Sequence, residues 1–79
     1  MMTVTNNREE FQRIGLNILI CRRERKMSQS ELAQITGLSR AMISNMERGK
    51  ANFRLDNLLA IAEGLEIDFR ELFKTKEIN

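Results

Sequence analysis

Apolar residues recur at intervals of three and four along this chain and nowhere alternate over a useful length. That period belongs to helices, in which positions i, i+3, i+4 and i+7 share one face. The pattern predicts five short helices and no strand. In the first, Phe11, Ile14, Ile18 and Cys21 form the inward face. Asn7 followed by Glu10 has the form of a capping box at its start. Arg22, Arg23, Arg25 and Lys26 crowd its last turn, where cations suit the helix dipole. Leu16, Leu19 and Ile20 make a second apolar stripe on the same helix. Ser28-Gln29-Ser30-Glu31 is a capping box with Met27 at the staple position, opening a second helix through Leu32, Ala33 and Ile35. Thr36-Gly37-Leu38 breaks it. Ser39 caps a third, which runs through Ile43 and Met46 to Arg48 and ends at Gly49. A loop, Lys50 to Arg54, precedes a fourth helix from Leu55 to Glu63. Asp68 with Glu71 caps a fifth, Phe69 to Lys74, and residues 75–79 read as a frayed tail, as do residues 1–6 at the other end.

The second and third helices carry the most information. A tight turn with Gly37 joins them, Ala33 is small enough for a close crossing, and Leu38 and Ile43 fill the angle between them. In helix-turn-helix architecture the second of two such helices enters the major groove of DNA. An αα-hairpin with no nucleic-acid role shares the same caps and glycine, so the local pattern alone leaves both readings open.

Composition narrows the field. With 79 residues the chain has room for one domain and a small core. Apolar residues make up 42% and charged residues 30%, a balance that suits a folded domain rather than a disordered one. His, Trp, Tyr and Pro are absent, and Cys21 is the one cysteine. The commonest general base and metal ligand is therefore missing, and no metal site or cofactor is expected. No Ser/His/Asp set, Cys/His pair, Gly-rich phosphate loop or paired-carboxylate cleft is visible, so the chain does not read as an enzyme. No apolar run approaches the roughly 20 residues of a membrane span, and the first residues do not form a signal peptide; the expected location is the cytoplasm. The charge is uneven. Residues 1–54 carry ten basic and five acidic side chains, a net +5; residues 55–79 carry three basic and six acidic, a net −3. Polyanion binding at the first part is one reading, and ordinary scatter of solvated charge is the other.

The joint pattern Ser28-Gln29-x-x-Leu32-Ala33-x-x-x-Gly37-Leu38-Ser39-x-x-x-Ile43-Ser44-x-x-Glu47-Arg48-Gly49 resembles the Cro/CI-type (XRE) helix-turn-helix family. Leu55-x-x-Leu58-Leu59-x-Ile61-Ala62-x-x-Leu65 extends the likeness, which covers about residues 10–73. The resemblance implies an all-α, compact five-helix, lambda-repressor-like domain that binds a palindromic operator in double-stranded DNA as a homodimer. It implies regulation of transcription by occupancy, blocking RNA polymerase or touching it, often on the protein's own operon. Phage Cro proteins, controllers of restriction–modification operons and antitoxins all belong to the family. The run Gly64-Leu65-Glu66-Ile67 is similar to that of controllers. An antitoxin, which binds a toxin protein and represses its own operon, is the alternative function.

Residue roles follow position by position. Gln29 matches the family's phosphate-binding Gln, beside helix N-terminal amides that favour anions. Arg40 lies on the first turn of the third helix, and its guanidinium fits the O6/N7 pair of guanine. Ala41 suits a thymine methyl, Asn45 either adenine or phosphate, and Ser44 lies on the same face. Ser39, Arg48, Lys50, Asn52 and Arg54 are placed for the sugar–phosphate backbone, with Arg54 also within reach of a narrow minor groove. Each also reads as a solvated surface residue. Arg22 and Glu47 match a structural ion pair of the family. Ile67, Phe69, Leu72 and Phe73 close the core or form the dimer interface. The chain departs from the family pattern twice. Phe53-Arg54 replaces the usual Pro-Ser or Pro-Thr ahead of the fourth helix, leaving Asp56 to tie it. Glu66 stands where Gly is common, so strain is expected if residue 66 is left-handed.

Overall fold

A computed structural model describes residues 8–50 and 53–75 and shows only helical elements among them. Helix α1 spans Arg8–Glu24, α2 Gln29–Thr36, α3 Arg40–Glu47 and α4 Leu55–Leu65. A 3-10 turn, Phe69–Phe73, stands where the apolar pattern predicts a fifth α-helix. Five residues are too few to build a ladder of i→i+4 bonds. Instead Glu71 N–H donates to the Asp68 carbonyl at 2.9 Å, the tighter i→i+3 spacing. The proposed Asn7 cap and Asn52 contact lie outside the described residues.

One core unites the elements. Ile14, Ile18 and Cys21 from α1 meet Leu32 and Ala33 from α2, Ile43 and Met46 from α3, Leu58, Ile61, Ala62 and Leu65 from α4, and Leu72 from the 3-10 turn. Phe11, expected in the core, is half-buried at its margin and packs edge-on against Phe53 with ring centroids 5.2 Å apart. The second stripe of α1 divides: Leu16 is exposed, while Leu19 and Ile20 are half-buried. Asn17 is the uncharged polar side chain on the buried face of α1. Its Nδ2 donates to the carbonyls of Leu72 (2.8 Å) and Lys74 (2.7 Å), which straps the C-terminal turn to α1.

Both ends of the helix-turn-helix pair follow the local chemistry. Ser28 Oγ accepts from Glu31 N–H and Glu31 Oε1 accepts from Ser28 N–H, closing the capping box. Those bonds, the backbone one foremost, hold the Glu31 carboxyl below its ordinary pKa. Gly37 takes φ 76°, the left-handed geometry expected of the turn. Ser39 Oγ then accepts from Met42 N–H at 3.0 Å and opens α3. Helix α4 begins at Leu55 with no side-chain cap on Arg54, but the Asp56 carboxylate accepts from Asn57 N–H and pairs with Arg54. Glu66 is left-handed at φ 57°, a conformation that costs a non-glycine residue roughly 1–2 kcal/mol. Arg25 compensates by donating from Nη2 to the Glu66 carbonyl at 2.9 Å.

Candidate nucleic-acid interface

Helix α3 buries Ile43, Met46 and Glu47 and turns the opposite face outward. Arg40, Ala41 and Asn45 are exposed there and Ser44 is half-buried. Residues 40, 41, 44 and 45 share that face because their spacing is helical. Met42, more than a third exposed, borders them and receives a long hydrogen bond from Asn57 Nδ2 on α4, 3.8 Å from its sulfur. The arrangement presents one guanidinium, one methyl, one hydroxyl and one amide on a helix narrow enough for a major groove.

A buried network fixes this helix against the rest of the chain. Arg22 on α1 grips Glu47 on the last turn of α3 through two bonds, Nε to Oε2 at 2.6 Å and Nη2 to Oε1 at 3.0 Å. The Glu47 hydrogen bonds raise the Arg22 pKa above its ordinary value, so the guanidinium stays charged despite burial. Arg22 Nη1 also donates to the Met27 carbonyl, in the turn before α2. Gln29, the first residue of α2, donates from Nε2 to Glu47 Oε1 at 3.0 Å. An amide carries two hydrogens, so one remains for an anion. Gln29 therefore links the scaffold to the outer surface. Its backbone N–H and that of Ser30, in the first helical turn, have no intrahelical acceptor.

The basic residues beyond α3 separate into distinct environments. Arg48 Nη2 donates to Asn45 Oδ1 at 2.6 Å, so these two are coupled on the surface. Lys50 is exposed just past Gly49. Arg54 pairs with Asp56 at 3.2 Å, and both side chains stand well out in solvent. A pair so exposed contributes at most about 1 kcal/mol, weak enough for a phosphate to replace the carboxylate. The pairing lowers the Asp56 pKa.

The C-terminal quartet does not stay together. Leu72 is 0% exposed and belongs to the core of its own chain, which corrects its placement on an interface: a side chain enclosed on all sides offers nothing to a second protomer. Ile67 and Phe69 are half-buried, and Phe73 is 44% exposed, edge-on to Phe69 at 5.0 Å. On α4, Leu55 at 63% and Leu59 at 48% also reach solvent. Their i, i+4 spacing on a helix whose buried face is already filled by Leu58, Ile61, Ala62 and Leu65 is the sequence signal that marks them as surplus.

Among the described residues no helix is long and apolar enough to cross a membrane, and no group of three metal-ligating side chains lies together.

Comparisons with known proteins agree with this geometry. The helix-turn-helix family model HTH_3 matches residues 18–72. The restriction–modification controller protein C.AhdI from Aeromonas hydrophila superposes with a TM-score of 0.80 at 35% identity, covering 82% of this chain and 98% of that one. An HTH_3 family transcriptional regulator from Vibrio cholerae gives 0.81 at 32% identity, over 86% of this chain and 38% of its own. The immunity repressor protein of Bacillus phage phi105 is 39% identical over 54 residues, 68% of this chain. This chain spans 38% of the length of that repressor.

Proposed function

The chain belongs to the helix-turn-helix family, and from that premise we propose that it is a sequence-specific regulator of transcription that binds double-stranded DNA. It acts as a homodimer on a palindromic operator and regulates its own operon. The observation that carries the reading is the outward face of α3, with Arg40, Ala41, Ser44 and Asn45 in line and Glu47 locked beneath by Arg22. Arg40 reads guanine and Ala41 touches a thymine methyl, while Ser44 and Asn45 contact the next bases. Gln29, Ser39, Arg48, Lys50, Asn52 and Arg54 hold the sugar–phosphate backbone on either side. The likeness to C.AhdI over nearly all of that chain favours a controller of a restriction–modification operon over a phage repressor or an antitoxin. Occupancy of the operator by the protein alone, with no cofactor, excludes or contacts RNA polymerase, and the cytoplasm is where such an operator lies.

The test is a binding titration on the cognate duplex and on a scrambled one. Affinity for the cognate duplex falls with salt, by a slope of about −0.9 in log K against log salt for each phosphate neutralised. Arg40→Ala costs about 1–3 kcal/mol on the cognate duplex and relaxes preference at one base pair. Lys50→Ala weakens both duplexes alike and reduces the salt slope by about one. Affinity indifferent to salt rules out the reading, and equal losses on both duplexes for Arg40→Ala reduce that residue to a phosphate clamp.

A further inference from the structure

The C-terminal end of α3 rests on α1 at two glycines, one from each side of the contact. A Cβ at Gly15, in the middle of α1, would lie 2.7 Å from the Glu47 carbonyl oxygen and nearer still to that of Met46. A Cβ at Gly49, just past α3, would lie 2.8 Å from the Cα of Gln12 and 3.0 Å from its nitrogen. All of these neighbours are backbone atoms, which cannot swing aside as a side chain does. Neither position accepts a side chain unless α1 and α3 move apart. Glycine weakens a helix interior relative to alanine, and Gly15 has no left-handed φ to justify it. Close approach is what Gly15 provides.

The other end of α3 is anchored independently. Gly37 makes the turn, Ser39 caps the first residues, and Ile43 is fully buried behind them. Pressure at the C-terminal end therefore tilts α3 about its first turn. Eight residues of helix measure about 12 Å, so a displacement on the order of 1 Å at one end is a rotation of about 5°. Arg40 at the first turn moves least. Asn45 on the last turn and Lys50 beyond it move most, and Glu47 is drawn from Arg22 and Gln29. We propose that Gly15 is a positioning residue for sequence recognition: it sets how closely the last turn of α3 seats on α1, and so where Asn45 and Lys50 meet the DNA, while leaving Arg40 in place. The inference rests on the DNA-binding function proposed above.

The experiment uses a duplex that the wild-type protein selects from a random pool, every single base-pair variant of it, and one unrelated duplex. Gly15→Ala lowers the ratio of selected to unrelated affinity about five-fold or more, the worth of one base-reading contact. Its loss is concentrated at the base pairs that Asn45→Ala also flattens, and the base pairs that Arg40→Ala flattens keep their preference. Ile61→Ala, a cavity in α4 outside the α1–α3 seam, lowers stability without changing ratio or profile once affinities are referred to folded protein. Gly49→Ala presses on the same helix end from the other side and, beyond the stability lost to its left-handed φ of 70°, gives the same profile as Gly15→Ala. Should either variant unfold in buffer, trimethylamine N-oxide restores the compact state and all proteins are compared in it. The proposal is overturned if Gly15→Ala keeps the wild-type profile, if it loses all positions equally, or if neither glycine variant folds in the osmolyte. A wild-type protein that selects no sequence at all overturns the DNA-binding function itself. Selection by the wild type with an unchanged Gly15→Ala profile overturns only the role of Gly15.

Discussion

Arg22 and Glu47 show what a single buried pair decides. Both side chains are nearly enclosed and their contact is bidentate, so the geometry recovers much of the cost of taking two charges out of water. Their net contribution to stability is nonetheless close to that of two apolar residues of the same size. Removing one partner is a different matter. Arg22→Met leaves the Glu47 carboxylate buried with Gln29 as its remaining partner in the network, and costs about 3–5 kcal/mol in urea denaturation. Arg22→Met combined with Glu47→Leu regains most of that loss. The double variant, although folded, binds DNA more weakly than the wild type, because Gln29 has lost the acceptor that aims its amide. A double variant as unstable as Arg22→Met alone contradicts this account. The pair was legible in the sequence from charge type and register. Asn17 carries a fainter signal in the sequence, a polar residue among Ile14, Ile18 and Cys21 on the buried face of α1. What it satisfies, two carbonyls more than fifty residues away, exists only once the chain has folded.

Helix ends carry the next level of information, and they differ in how openly the sequence declares them. N-termini are chemical: Ser28, Ser39 and Asp68 each offer a side-chain oxygen to a backbone N–H, and each was readable as a cap. C-termini are conformational. Helices α1, α3 and α4 all close with the same pair of bonds, one spanning five residues and one spanning three, around a left-handed residue. At α3 that residue is Gly49, as expected, but at α1 and α4 it is Lys26 and Glu66. No glycine marks the end of α1, so the run of cations reads only as favourable charge. The better signal is the apolar residue just after each turn, Met27 and Ile67, which packs on the core and holds the chain in place. The cap at the 3-10 turn makes a prediction in pH. Arg70 donates to Asp68 through side chain and backbone, side chain foremost, and holds its carboxyl down at about 2 from an ordinary 3.8. A carboxyl whose pKa is lower in the folded chain adds stability above its unfolded value and loses it as pH falls towards the folded one. The contribution is thus complete above about pH 4 and gone near pH 2. Asp68→Asn flattens thermal stability across that window relative to the wild type, and identical acid limbs for the two proteins contradict the assignment.

At the scale of the whole molecule, the basic excess and the exposed apolar residues of α4 and the 3-10 turn lie in different parts of the chain. The excess of positive charge lies before residue 55, on α1 and the turn after it and on Arg48, Lys50 and Arg54 beyond α3. The acidic remainder contains α4 and the 3-10 turn, which hold Leu55, Leu59 and Phe73 out in solvent with Ile67 and Phe69 half-covered. A second copy of the chain, docking by that surface, would bury it on a symmetry axis and leave both α3 helices free. Two recognition helices serve one palindrome when they lie about one turn of DNA apart, roughly 34 Å. Leu72 and Phe73 separate core from interface at adjacent positions. Leu72 is enclosed, so Leu72→Asp buries an unpaired charge and the domain unfolds, as circular dichroism reports. Phe73 is 44% exposed, so Phe73→Asp leaves the fold intact. It places like charges face to face across the axis, and sedimentation equilibrium at micromolar concentration finds a monomer where the wild type is a dimer. On a palindromic duplex the folded monomer retains contact with each half-site but loses the joint occupancy that a dimer provides. Its affinity falls to that for an isolated half-site, while the affinity of both proteins for a single half-site is the same. A wild type that stays monomeric with and without DNA, or a Phe73→Asp protein that still dimerises, moves the axis away from this surface.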